Sequence, residues 1–295
     1  MEAPSRGFIS VRIERRLDVV DDLAVFWLRP EEPVAFLPGQ YVTLAVEGAN
    51  GRTVKRAYSI VSAPHEPLLE LVVERVDGGA LTPVLWDRQP GDVIWARKKI
   101  VGHFLLDAER LRHVMVCTVT GIAPFLSMIR SHLAARQRDE AVPDHRFLVL
   151  HGASHAPEFG PYLDELATLT AETEGRVVAI PTVSRPWANP DWTGETGRVE
   201  DVLRKYLDRL GWNGPDTAGY ACGNPTMIET VKGLLRRAGL DAAHIHDEKY
   251  FTETPEPEAT PTPAPPPEPS PARRTPRLPG QMPLRAVSRP EDPAA

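Results

Sequence analysis

Three short segments carry residue types from which a nucleotide or redox site is built. Arg56-Ala57-Tyr58-Ser59 places a guanidinium, a flat ring and a hydroxyl within four residues. On a strand, residues two apart share a face, so Arg56 and Tyr58 point together and Ser59 points away. Arginine clamps phosphate, tyrosine stacks on a flat ring, and serine donates a hydrogen bond. Thr118-Val119-Thr120-Gly121-Ile122-Ala123-Pro124 and Cys222-Gly223-Asn224-Pro225 are small-residue turns that feed helices. A helix start offers free backbone N–H groups and partial positive charge, which suits a pyrophosphate. Pro124 and Pro225 stand where a helix tolerates a missing N–H. Taken singly, each segment also reads as a tight turn or a half-buried strand with no ligand.

The elements that position these segments fall into two kinds. Six β-rich runs come first: Phe8–Arg16, Ala24–Arg29, Tyr41–Val46, Arg56–Val61, Leu68–Arg75 and Asp92–Arg97. Turn residues separate them, and one short helix is expected at Ala80–Asp87. This pattern predicts a six-stranded antiparallel β-barrel over residues 1–108, although a sandwich would read alike. From His113 strands and helices alternate. Strands are expected at His113–Cys117, Arg146–His151, Arg176–Val183, Ala218–Cys222 and His244–Phe251. Helices are expected at Pro124–Arg138, Gly160–Glu174, Arg198–Leu210 and Pro225–Ala238. Right-handed crossovers then give a Rossmann-like α/β domain over 109–251, with a parallel five-stranded sheet. Ligands of such sheets bind beyond the carboxyl ends of the strands, where both small-residue turns lie.

Composition excludes several classes. The chain has 34 basic and 40 acidic residues, a net charge of −6, so nothing favours nucleic acid or anionic lipid. Two cysteines cannot form an iron–sulfur or zinc cluster. The pairs His151/His155 and His244/His246 fall short of three convergent metal ligands, so no metal is expected. No run of apolar residues is long enough to span a membrane, and the start lacks a targeting pattern. A reducing cytoplasm with free Cys117 and Cys222 is the expectation. Of the 31 prolines, 14 fall after Thr254, and no aromatic residue follows Phe251. Residues 252–295 therefore read as a disordered proline-rich tail, with a docked partner as one alternative and a plain linker as the other.

In combination the segments resemble the ferredoxin–NADP reductase family, in order and at suitable spacing over roughly residues 8–251. Pro38-Gly39-Gln40-Tyr41 resembles the segment before its flavin strand, and Arg56-Ala57-Tyr58-Ser59 its Arg-x-Tyr-Ser motif. Gly79-Ala80-Leu81-Thr82 is similar to its flavin-pyrophosphate turn. Thr118 to Pro124 resembles Gly-Thr-Gly-x-Ala-Pro, Tyr220 to Pro225 resembles Tyr-x-Cys-Gly, and Glu248-Lys249-Tyr250-Phe251 resembles the terminal acidic-aromatic signature.

The resemblance implies FAD and NADPH as cofactors. It assigns Arg56 to flavin phosphate, Tyr58 to the isoalloxazine face, Ser59 to the neighbourhood of flavin N5, and Ala57 to the same motif. The backbone of Gly79, Ala80, Leu81 and Thr82 would hold the pyrophosphate. Thr118, Thr120, Gly121, Pro124 and Gly223 would line the nicotinamide nucleotide. Ser59, Cys222 and Glu248 would orient the reacting rings, and Tyr250 or Phe251 would cover flavin or adenine. Arg185 and Arg198 resemble the residues that read a 2′-phosphate, which favours NADP over NAD; ordinary surface arginines are the alternative.

Hydride would pass between NADPH and FAD, and single electrons between FAD and a separate ferredoxin or flavodoxin. The same-class alternative is the reductase component of a multicomponent oxygenase. A flavin-binding interaction module with little turnover is the alternative from another class. One departure stands out: Val119 occupies the first motif glycine, and a β-branched residue lacks glycine's access to positive φ.

Overall fold

The computed structural model describes residues 7–48, 51–138 and 141–249. The first half is an antiparallel sheet of β1 (Phe8–Val20), β2 (Leu23–Pro30), β3 (Tyr41–Glu47), β4 (Thr53–Ser59), β5 (Leu69–Glu74) and β6 (Val93–Arg97). Its order is β4-β3-β6-β1-β2-β5. The chain beyond β4 returns to the far edge, where the Val61 N–H donates to the Glu70 carbonyl at 2.8 Å. The sheet thus curls into a barrel, which the sequence pattern left open against a sandwich. Alternation builds the core: Ile9, Val11 and Ile13 of β1 point inward against Leu28, Leu44, Leu71 and Ile94. Helix α1 (Thr82–Trp86) is shorter than the expected Ala80–Asp87, because the Thr82 side chain is tied to the preceding loop: its Oγ1 accepts from the Val76 N–H at 3.0 Å.

Strand β1 runs four residues past its expected end at Arg16. Bulges between Ile13 and Arg15 and between Asp18 and Val20 bend it while it stays paired with β2. The extension has a purpose in packing. Val19 and Val20 leave the barrel core and join a cluster with Met115, Phe125 and Phe147 of the second half.

That second half is a parallel sheet of β7 (Arg112–Thr118), β8 (Arg146–Ala153), β9 (Val177–Val183), β10 (Glu195–Thr196), β11 (Thr217–Gly223) and β12 (Ile245–Lys249). Helices α2 (Ala123–Gln137), α3 (Tyr162–Glu172), α4 (Val199–Leu210) and α5 (Pro225–Arg237) connect it. The sheet order is β10-β9-β8-β7-β11-β12, six strands where five were expected. The extra strand is the two-residue β10, too short to carry a hydrophobic pattern. The strand order reverses at β7, so the crevice beyond β7 and β11 is the switch point where ligands of such sheets bind.

The two halves are joined by polar contacts as well as by the shared cluster. Arg130 of α2 reaches Glu70 of β5 and Glu165 of α3, each at 2.7 Å, and the Tyr162 hydroxyl donates to Glu70. Ser127 donates to the Ser62 carbonyl at 2.8 Å. Arg130 is held fully charged by Glu165 and Glu70 despite its burial.

Candidate active site

Two sequence-distant residues meet at the switch point. Ser59 ends β4, and Glu248 lies on β12; the Ser59 hydroxyl donates to Glu248 Oε1 at 2.7 Å. Ser59 is buried and Glu248 half-buried. Burial pushes the Glu248 carboxyl above the usual range, and the Ser59 hydrogen bond opposes that shift. The geometry therefore holds a proton-accepting group against the last residue of the Arg56–Ser59 strand. Tyr58 packs partly against the barrel core, and burial raises its phenol above the ordinary value, with Arg56 acting the other way. Arg56 and Ala57 are exposed, and Arg56 donates to the Lys55 carbonyl at 2.9 Å. Helix α1 packs on β3, the neighbour of β4, with Leu81 and Leu85 in the core. Gly79 and Ala80 precede it on a loop.

The Thr118–Pro124 segment forms a single 3-10 turn, Val119–Ile122, before α2. Gly121 is required by contact: a Cβ there would stand 2.3 Å from the Cys222 carbonyl oxygen. Gly223 is required twice over. Its φ is +124°, and a Cβ would meet Thr118 Oγ1 at 2.5 Å. Thr118 Oγ1 also accepts from the Asn224 N–H at 3.2 Å. Asn224 caps α5, its side chain accepting from the N–H groups of Thr226 and Met227. The two turns are thus locked together at the ends of β7 and β11. Val119 sits at φ +42°, in the left-handed region that glycine prefers.

Cys222 is fully buried, in register with Cys117 on one side and Glu248 on the other. Its thiol belongs to the core cluster beneath the crevice. Arg185 and Arg198 are both exposed. Val183 pairs with Thr196 across β9 and β10, so each arginine lies two residues beyond that pair. Arg185 also contacts His155 Nε2 at 3.3 Å. Tyr250 and Phe251 lie outside the described residues, as does the segment 252–295.

Several residues to which the motifs assigned no role carry the arrangement, Tyr220 of the Tyr220–Pro225 segment among them. The Tyr220 hydroxyl accepts from the Asp107 N–H at 2.8 Å and meets His113 Nδ1 at 3.1 Å. His113 Nε2 meets His145 Nδ1 at 2.9 Å. His151, expected at a strand-end turn, lies inside β8, and its Nε2 reaches the Val119 carbonyl at 2.9 Å. The sequence signals the histidines only by their places at or near strand ends. His244 and His246 share a face, and both reach Asp107 Oδ2, at 2.6 and 3.3 Å. Asp107, Glu109 and His244 bring ligand atoms within 4.8 Å of one another. His244 already contacts Asp107 through Nδ1 and Arg110 through Nε2, so its nitrogens are used without an ion.

A barrel bearing Arg-Ala-Tyr-Ser beside a doubly wound sheet with a glycine-bound crevice defines a flavin- and nicotinamide-dependent oxidoreductase. Residues 10–104 match the oxidoreductase FAD-binding domain, and residues 115–233 match the oxidoreductase NAD-binding domain. Ferredoxin--NADP reductase B of Sorangium cellulosum is 34% identical over 223 residues, covering 73% of this chain and 85% of that protein. The xylene/toluene monooxygenase electron transfer component XylA of Pseudomonas putida is 28% identical over 249 residues, covering 83% of this chain; the chain spans 66% of that relative. The crystal structure of a ferredoxin NADP+ reductase from Neisseria gonorrhoeae with bound FAD and NADP aligns with a TM-score of 0.71 and 26% identity, over 84% of this chain and all of that one. The chain belongs to the ferredoxin–NADP reductase family. Among the described residues, no helix is long and apolar enough to cross a membrane.

Proposed function

We propose that this protein transfers hydride between NADPH and FAD and exchanges single electrons with a separate ferredoxin or flavodoxin. The Ser59–Glu248 hydrogen bond carries the reading, because it joins the flavin-motif strand to the nicotinamide sheet at the switch point. The residues fit both groups. Tyr58 offers a partly buried ring, Arg56 a cation at the exposed part of the strand, and Gly121 and Gly223 let the two turns close on each other at the mouth of the crevice. FAD supplies the step from hydride to single electrons when it is bound.

The protein's own residues bind and orient. Arg56 pairs with flavin phosphate, and the loop backbone at Gly79, Ala80, Leu81 and Thr82 meets the pyrophosphate. Thr118, Thr120 and Gly121 receive the nicotinamide nucleotide above Cys222, whose buried thiol shapes the floor. Glu248 accepts the hydrogen bond of the Ser59 hydroxyl and holds that hydroxyl in one rotamer. Arg185 and Arg198 read the 2′-phosphate, which supports NADP over NAD. Tyr250 or Phe251 covers a ring, and the working boundaries are residues 1–108 and 109–251. We place the enzyme in the cytoplasm, where Cys117 and Cys222 stay reduced, and assign the tail's Arg273, Arg274, Arg277, Arg285 and Arg289 to an acidic partner.

The test is purification, a flavin absorption spectrum, and ferricyanide reduction with NADPH against NADH. NADPH-driven turnover supports the reading; bound flavin without nicotinamide oxidation favours an interaction module. The likeness to XylA favours a second acceptor, the oxygenase of a multicomponent system. Electron delivery to an added ferredoxin separates the two.

A further inference from the structure

Val119 is a β-branched residue with φ +42°. Such a residue is a genuine outlier in the left-handed region, and a conformation of this kind persists only where its surroundings impose it. The surroundings here include one polar contact. His151 Nε2 lies 2.9 Å from the Val119 carbonyl oxygen. The other ring nitrogen, Nδ1, is buried and has no hydrogen-bond partner. A neutral imidazole has a single N–H, so this environment places it on Nε2, donating to Val119. Burial holds the ring neutral, with its pKa lowered to about 4. The ring itself is fixed edge-on against Phe159, with centroids 4.9 Å apart.

The consequence follows from peptide planarity. In a trans peptide the C=O and the next N–H point in opposite directions. Anchoring the Val119 carbonyl toward β8 turns the Thr120 N–H away from β8. An unanchored Val119 would gain by rotating about its N–Cα bond back to negative φ, which would swing its carbonyl, and the Val119–Thr120 peptide with it, off His151. We infer that His151 is a positioning residue that holds the Val119–Thr120 peptide in the orientation the nicotinamide nucleotide requires. The Val119 side chain makes this hold necessary, since glycine would adopt the same φ without strain. The inference rests on the reading of the Thr118–Pro124 turn as the nucleotide site.

A double-mutant cycle tests it. NADP+ binding to the FAD-loaded protein is measured by calorimetry for the wild type, His151→Phe, Val119→Gly and the pair. Phenylalanine keeps the contact with Phe159, and His151→Leu serves as a second apolar variant should the first not fold. Deuterium exchange of the peptide spanning 118–124 is read in parallel. His151→Phe raises the NADP+ Kd about tenfold, a typical loss for a buried hydrogen bond, and speeds exchange in that peptide. In the Val119→Gly background the same change raises Kd about twofold or less. His151→Gln, which keeps a side-chain N–H donor, stays within about threefold of wild type. An equal loss in both backgrounds, or none in either, overturns the inference while wild-type binding leaves the nucleotide reading intact. A wild type that binds no NADP+ overturns both.

Discussion

The two ends of the parallel sheet use the same residue types for opposite purposes. At the starts of the strands, His113, His145 and Tyr220 form a buried chain, and His244 and His246 close on Asp107. These rings and the Tyr220 hydroxyl are paired with one another, while Arg110 Nε and His132 Nε2 beside them are buried without a partner. At the carboxyl ends the backbone is held at positive φ at Val119 and Gly223, a carboxyl is half-buried, and two arginines stand exposed. A satisfied network rigidifies; strained turns and exposed charge leave groups available to a ligand. His151 belongs to the second end by position and to the first by its burial.

Acid treats both ends alike and is expected to have the largest effect. Burial lowers the pKa of His113 to about 3 and of His132 and His151 to about 4, and lowers that of His145. The unfolded chain binds protons at these sites from about pH 6.5 downward, whereas the folded protein does not. Their contribution to stability is complete above about pH 7 and is lost as pH falls through that interval. Urea midpoints measured from pH 7.5 to 4.5 should fall steadily. A flat profile would mean that the histidines bind protons in the fold as readily as in the unfolded chain.

Substitution separates the ends. Glu248→Leu should lower NADPH-driven ferricyanide turnover by about 10²-fold through loss of orientation, with the flavin spectrum retained. His113→Leu should do the reverse. It takes one of the Tyr220 hydroxyl's two partners and leaves His145 Nδ1 without its own, costing about 2 kcal/mol in urea unfolding, with the NADPH KM unchanged. If His113→Leu changed KM instead, the two ends would be coupled and the contrast would fail. The smallest effect is the most selective. Arg185→Ala with Arg198→Ala should raise the NADPH KM about tenfold and leave that for NADH within error.

Much of this was legible in the sequence. The alternation of Ile9, Val11 and Ile13 announces a barrel strand, and the strand–helix rhythm from His113 announces the parallel sheet. Each expected strand and helix is present within a few residues. What escaped has local reasons. β10 is two residues long, and the end of β1 breaks its alternation because Val19 and Val20 face a different core. Thr82 spends its side chain on the Val76 loop, which delays α1. Val119 was legible as a departure from glycine, but its positive φ was not, because no local signal asks valine to adopt it.

The sequence by itself determined which residues are available and in what order: Arg56 to Ser59 on one strand, two small-residue turns, one arginine after a strand end and another at a helix start. It could do so because side-chain direction and helix starts follow from backbone geometry over a few residues. Tertiary structure decided which of them meet. Ser59 finds Glu248 across 189 positions of sequence, and His151 finds Val119 across 32. Those contacts depend on how the barrel packs against the sheet and how β8 lies beside β7, and only the folded chain brings these groups within hydrogen-bonding reach.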